Sequence, residues 1–152
     1  MSVGVCGARS FPGVRERFHV IYNPVLTDDV RKRLTYPLAT SPVPPDIPWV
    51  TFAGRFVPAK GLDVLLKAWR LIAGKTTAQL VLVGDGPLRP ELESMTRDLG
   101  LAARVHFIGF QDNPLPWMRE AALLVLPSRH EGLGNVLIEA LGPFLVALGA
   151  FI

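Results

Sequence analysis

The stretch that decides the fold is Leu123–Leu141, LLVLPSRHEGLGNVLIEAL. Its first four residues form a short continuous apolar run, the pattern of a buried strand. Pro127 and Ser128 end that run, and Glu131 follows in the loop. Gly132, Leu133, Gly134 and Asn135 make a glycine-bearing turn, and Val136, Leu137 and Ile138 begin a helix that carries Glu139. The order is strand, loop with an acid, glycine turn, helix with a second acid. A helix starting near Gly134 presents unpaired N–H groups and the positive end of its dipole, and glycines let a ligand approach that backbone. Such a terminus suits a phosphate or diphosphate. Glu139 would lie roughly one and a half turns along the helix, so both acids can face one ligand. Acids near a helix start also suit the dipole with no ligand at all, and the two carboxylates alone do not decide between these readings.

Upstream, the same alternation repeats. Val50–Ala53 reads as a strand closed by Gly54-Arg55, and Phe56–Lys60 as a loop. From Gly61, Leu62, Leu65, Leu66, Trp69 and Ile72 recur at helical spacing until Gly74. Gln79–Val83 is a continuous apolar strand ending at Gly84-Asp85-Gly86-Pro87, and the next helix has Leu88, Leu92, Met95 and Leu99 on one face and Gly100 at its end. Val105–Ile108 is a strand closed by Gly109, and Pro114–Glu120 a short helix. Strand and helix thus alternate about four times, and continuous apolar strands suit a parallel sheet covered on both faces. The fold class is α/β, a Rossmann-like doubly wound parallel sheet.

Before Trp49 the pattern is weaker. Met1–Arg17 has scattered Gly, Pro and Arg without period, the mark of a disordered lead or the remnant of an upstream domain. His19–Tyr22 reads as a strand ending at Asn23-Pro24, and Thr27–Leu34 as a short helix capped by Thr27 or Asp28. Pro37, Pro42, Pro44, Pro45 and Pro48 then predict a connector running over the surface. Residues 1–48 are therefore read as lead and interdomain-type connector, and residues 49–152 as the Rossmann-like domain.

Composition narrows the function classes. The chain has 152 residues and a net charge of +3, with basic residues interleaved with acids, which does not suit nucleic acid. Arg31-Lys32-Arg33 reads as a solvated helix face or, more weakly, as a contact for anionic lipid. Cys6 is the sole cysteine, which rules out an internal disulfide and a thiolate metal site. His19, His106 and His130 lack metal-ligand spacing, so no metal is expected. No stretch is long enough to span a bilayer.

In an open α/β sheet, ligands bind outside the carboxyl ends of the strands. Here those ends deliver Gly54, Arg55 and Lys60, then Gly84-Asp85-Gly86, then Gly109, Phe110 and Gln111, and finally Ser128–Gly134. Arg55 and Lys60 make either a diphosphate clamp or a pair of solvated cations. Asp85, before Pro87 at a helix start, reads as a turn residue. Phe110 either stacks on a base or fills a core edge. His106, Trp69 and Trp117 read as structural, and Ser128 as a polar loop residue.

Gly54-Arg55 with Lys60-Gly61, Val83-Gly84-Asp85-Gly86-Pro87, Phe107-Ile108-Gly109, Pro127-Ser128, Glu131-Gly132-x-Gly134 and Glu139-Ala140 resemble the retaining GT-B glycosyltransferases of family 4 (glycosyl transferases group 1). The resemblance runs from about His19 to Leu141 and rests chiefly on the E-x7-E frame with GR…KG. It implies one C-terminal half of a GT-B fold, whose cleft binds a nucleotide-sugar donor, by family habit a UDP-sugar. Arg55 and Lys60 would hold the donor diphosphate and stabilise its developing charge, with Gly54 beside them. The amides of Gly132, Leu133, Gly134 and Asn135 would assist. Glu131 would contact donor sugar hydroxyls, so that Glu131, Arg55 and Lys60 form the catalytic set. Glu139 would take the ribose hydroxyls, and Gly109, Phe110 and Gln111 would lie near the base. The leaving diphosphate would help deprotonate the acceptor, and no metal or other cofactor is expected.

Against the family pattern, the expectation is a chain without the acceptor-binding N-terminal domain and with its last strand and closing helices cut short. Gly142–Ile152 is an apolar tail that either fills part of the absent strand's place or leaves an exposed patch. The expectation is a glycosyltransferase fragment, weak or inactive alone, whose parent acts on a glycan or lipid-linked acceptor in the cytoplasm or at the inner face of the cytoplasmic membrane, with peripheral membrane association allowed. The alternatives are a non-catalytic nucleotide or sugar-phosphate-binding module and a GT-B-fold sugar-nucleotide epimerase.

Overall fold

The computed structural model describes residues 28–38, 40–129 and 146–149, the last four by their backbone alone. The expected strand at His19–Tyr22 and the helix from Gly134 lie outside the described residues. Helix α1 is Asp28–Leu34, and strand β1 is Trp49–Ala53. A 3-10 turn at Pro58–Lys60 leads into α2, Leu62–Ile72, followed by a second 3-10 turn at Ala73–Lys75. Then come β2 (Gln79–Val83), α3 (Arg89–Asp98), β3 (Val105–Gly109), α4 (Leu115–Glu120), β4 (Leu123–Leu126) and β5 (Val146–Gly149).

The strands form one sheet in the order β3-β2-β1-β4-β5, with every pair of neighbours parallel. The apolar strands explain this arrangement. Alternate residues point to opposite faces, and both faces are covered. Phe52, Leu80 and Leu82 face a core built with Leu62, Leu65, Leu66 and Trp69 of α2 and Leu92 of α3. Ala53, Val81, Val83 and Leu124 face a second core closed by Leu34 of α1 and by Leu115, Trp117 and Met118 of α4. Burying each such large side chain is worth about 1.5–3 kcal/mol. The doubly wound α/β class expected from the alternation of elements is the fold that forms.

Four details depart from the sequence reading. The Pro-rich connector does more than cross the surface, because Val43 is 3% exposed and joins the second core with Leu38 and Ile47 beside it. Arg33 does more than sit on a solvated helix face. Its guanidinium donates to the Asp112 carbonyl, and its own carbonyl accepts from Asn113 at 2.9 Å. Ile72 falls off the buried stripe of α2 and is exposed, since the helix ends there. Phe56, placed in a loop, is fully buried between Phe52 and Phe107, with ring centroids 6.3 and 6.2 Å away.

The tail takes one of the two courses left open for it. Val146–Gly149 pairs with β4 from Leu123↔Val146 to Leu126↔Gly149, extending the sheet.

Candidate functional site

From β1 the chain winds outward through β2 to β3, and β4 then returns to the other flank of β1. The crevice of such a sheet opens outside the carboxyl ends of the strands where this direction reverses, here β1 and β4. The connections around it are packed backbone to backbone. Gly84 has φ +135°, and a Cβ there would sit 1.9 Å from the Gly54 carbonyl oxygen. Gly61 has φ +63°, and its Cβ would sit 2.0 Å from the Pro127 carbonyl oxygen. No other residue type fits either place, because the backbone is left-handed and the space is already filled. Hydrogen bonds stitch the strand exits together: Gly54 N–H donates to Val83 O at 3.0 Å, Gly84 N–H to Gly109 O at 2.9 Å and Phe56 N–H to Asp85 O at 2.9 Å.

These contacts leave a cleft of about 210 Å³ lined by Ala53, Gly54, Arg55, Val83, Gly84, Asp85, Phe110, Gln111 and Pro114. Four residues singled out from sequence, Gly54, Arg55, Phe110 and Gln111, therefore meet in one place. Phe110 is 72% exposed, so it does not fill a core edge. It forms an apolar wall open to solvent. Gly109, at φ +85°, turns the chain out of β3 just before it. Lys60 ends the 3-10 turn on the same β1–α2 connection as Arg55 but does not line this cleft.

Asp85 serves its turn. One carboxylate oxygen accepts from Gly86 N–H at 2.7 Å and the other from Arg89 at 2.9 Å, and Arg89 also reaches Glu93 at 2.8 Å. These bonds, the Gly86 amide first, hold the Asp85 carboxyl below the usual carboxylate range. Its charge is thus partly matched, and Arg55 carries the open positive charge of the lining.

A larger cavity of about 660 Å³ lies between Tyr36–Leu38, Thr40–Pro42, β3 and α4, with Gln111 shared by both cavities. Its lining carries no charged side chain, so it has nothing to balance a diphosphate. The smaller cleft, with Arg55 and the glycine exits, fits an anionic ligand better.

One pair escaped the sequence reading. The Arg129 guanidinium grips both oxygens of Asp63, at 2.8 and 2.7 Å, and also donates to Pro58 O at 2.9 Å. Arg129 N–H donates to Ala59 O at 2.9 Å. The Arg129 hydrogen bonds hold the Asp63 carboxyl below its ordinary range, outweighing partial burial. No local pattern links residues 66 positions apart; the only signal was an arginine in the β4 loop and an aspartate in the first turn of α2.

Glu131, Gly132, Leu133, Gly134, Asn135 and Glu139 lie outside the described residues. Ser128 is 1% exposed, which does not suit a nucleophile. His106 sits 2.8 Å from Gln79 Oε1, its pKa lowered by burial, and Trp69 and Trp117 are core residues. Among the described residues no group of His, Cys, Asp or Glu could hold a metal ion, and no helix is long and apolar enough to cross a membrane.

A family model described as glycosyl transferases group 1 matches residues 47–143. The chain is 40% identical over 97 residues to the lipopolysaccharide core biosynthesis glycosyltransferase LpsE of Rhizobium meliloti (strain 1021), a match covering 64% of this chain and 28% of that protein. The sucrose-phosphate synthase of Thermosynechococcus elongatus superposes with a TM-score of 0.74 at 27% identity, over 98% of this chain and 39% of that one. Anabaena HepE in complex with UDP-glucose superposes with a TM-score of 0.56 at 28% identity, over 62% of this chain and 27% of that one. The chain thus spans well under half the length of each of these proteins.

Proposed function

The chain belongs to the group 1 glycosyl transferases, and from that premise we propose that it carries the donor half of a retaining glycosyl-transfer site, of the family 4 type, for a nucleotide-sugar. The observation that carries this reading is the meeting of Gly54, Arg55, Phe110 and Gln111 in one cleft at the carboxyl ends of β1, β2 and β3. A diphosphate needs matched positive charge and close backbone approach. Arg55 supplies the first, with Lys60 on the same connection, and the glycine exits supply the second. Phe110 offers an exposed ring on which a base stacks, and Gln111 offers an amide to its edge. The UDP-glucose complex of HepE supports a UDP-sugar as the donor.

In the transfer itself, the bond from the anomeric carbon to the diphosphate oxygen breaks and a bond to an acceptor oxygen forms on the same face. The acceptor proton passes to the departing diphosphate. Arg55 and Lys60 stabilise the charge that collects there. Glu131 holds donor sugar hydroxyls, Glu139 the ribose, and the Gly132–Asn135 amides the phosphates, as the family resemblance implies. No metal takes part. The lipopolysaccharide-core role in the name of LpsE supports a glycan or lipid-linked acceptor, and the whole protein is proposed to act in the cytoplasm or at the inner face of the cytoplasmic membrane.

Calorimetric titration of the purified chain with UDP, GDP and ADP tests the donor site. Saturable binding of one nucleotide is expected, with loss of at least about tenfold in affinity in the Arg55→Ala, Lys60→Ala double variant. A folded chain that binds none of the three overturns the reading.

A further inference from the structure

Three cations stand on the connections that leave β1 and β4: Arg55 and Lys60 after β1, and Arg129 after β4; of these Arg55 lines the cleft. Arg129 differs from Arg55 in what it touches. Its fork is bidentate on Asp63, with a further bond to Pro58 O, while its backbone N–H reaches Ala59 O. Both side chains of the pair are only about one-third exposed. Two positions before Arg129, the Pro127 carbonyl presses on Gly61, where no Cβ fits. The β4 loop is thus fastened at Pro58, Ala59, Gly61 and Asp63 to the turn that carries Lys60.

We propose that Arg129 and Asp63 are positioning residues of the donor site: their ion pair locks the Lys60–Gly61 turn to the β4 loop, so that the β1–α2 connection, which carries Arg55, is set before ligand arrives. This role rests on the donor-site reading above. A guanidinium already shared between a carboxylate and a carbonyl offers little to a phosphate. What Arg129 supplies is geometry, and prior ordering of a site lowers the cost of binding.

The two possible roles of Arg129 predict opposite signs for one substitution. If Arg129 met the phosphate directly, Asp63→Asn would free its charge, and binding would hold or tighten. As a positioning pair, Asp63→Asn and Arg129→Gln each weaken nucleotide binding by roughly tenfold, and the double variant is no worse than the weaker-binding single, as coupled partners require. Arg129→Lys keeps the charge but not the fork, and behaves like Arg129→Gln. The charge-swapped Asp63→Arg, Arg129→Asp chain recovers part of the loss. Titration with UDP, GDP and ADP reads affinity, and hydrogen exchange of the 56–61 segment, without nucleotide, reads the lock itself. Exchange there quickens in Asp63→Asn while the urea unfolding midpoint moves little. Unchanged or tighter binding by Asp63→Asn, or additive losses in the double variant, overturns the positioning role while leaving the donor site intact. Absence of nucleotide binding by the unsubstituted chain overturns the donor site, and this role with it.

Discussion

Two glycines share nearly the same left-handed backbone but have different surroundings, and they isolate the contact between the loops that flank the crevice. Gly61 has φ +63° and a Cβ position 2.0 Å from Pro127 O; Gly100 has φ +68° and nothing within 4 Å. Alanine at either site meets the same backbone penalty, about 1 kcal/mol. At Gly100 that is the whole cost, because the turn bonds Gly100 N–H to Arg97 O and Leu101 N–H to Thr96 O do not involve the side chain. At Gly61 the new methyl must retreat to the 3.0 Å that real Cβ contacts respect, which parts the two connections by roughly 1 Å and adds overpacking strain of about 1–3 kcal/mol. The parting also stretches the Arg129 N–H bond to Ala59 O, worth about 1 kcal/mol. Gly61→Ala should therefore cost about 3–5 kcal/mol and Gly100→Ala about 1 kcal/mol. Urea unfolding followed by tryptophan fluorescence suits the measurement, since Trp49, Trp69 and Trp117 are all buried. With a slope of about 2 kcal/mol/M, the midpoints fall by roughly 1.5–2.5 M and 0.5 M. Equal losses in the two variants would show that the loops are not held in contact at Gly61, and would refute the reasoning.

Phe56→Ala should cost about 3–5 kcal/mol, since the ring is fully buried and joins Phe52 to Phe107; a loss under about 1 kcal/mol in thermal unfolding would count against that packing. The Asp63 carboxyl titrates lower in the folded chain than in the unfolded one, so its contribution is full above about pH 4 and fades as pH falls through the folded value. Acid titration of stability should show Asp63→Asn losing less than the unsubstituted chain below about pH 4; parallel acid limbs would contradict the pairing. Arg119 donates to the carbonyls of Leu34 and Tyr36 at the end of α1. Arg119→Ala should speed hydrogen exchange in α1 by about tenfold and lower stability by about 1 kcal/mol.

The strands were legible because continuous apolar runs such as Gln79–Val83 have one stable use, the interior of a parallel sheet. Once those strands are placed, the sheet brings their exits together, which is why Gly54, Arg55, Phe110 and Gln111 could be grouped before any coordinates. Phe56 was hidden because it lies between β1 and α2, where neither a period of two nor one of 3.6 applies. Val43 was hidden by the prolines around it, which announce a connector but not that one of its side chains turns inward. Arg33, Asp63 and Arg129 were hidden because their partners lie 66 or more positions away, and charge pairing at that range leaves no local trace. The Glu131–Glu139 segment, the strongest motif in the sequence, lies outside the described residues.

The central place of β1 also has a kinetic consequence. Its pairing with β2 joins residues thirty positions apart, as in the Thr51 bond to Val81 O, whereas its pairing with β4 joins Val50 to Leu123, more than seventy apart. Closing the shorter loop costs less entropy, and contacts local in sequence form faster. The β1-α2-β2-α3-β3 half should therefore assemble first and present one bare edge of β1 as the template on which β4 docks. Trp69 lies in the early half and Trp117 in α4, just before the late strand. With Trp49 replaced by Phe, each half carries its own fluorescent reporter, and stopped-flow refolding of Trp49→Phe chains that also carry Trp69→Phe or Trp117→Phe would time the two events separately.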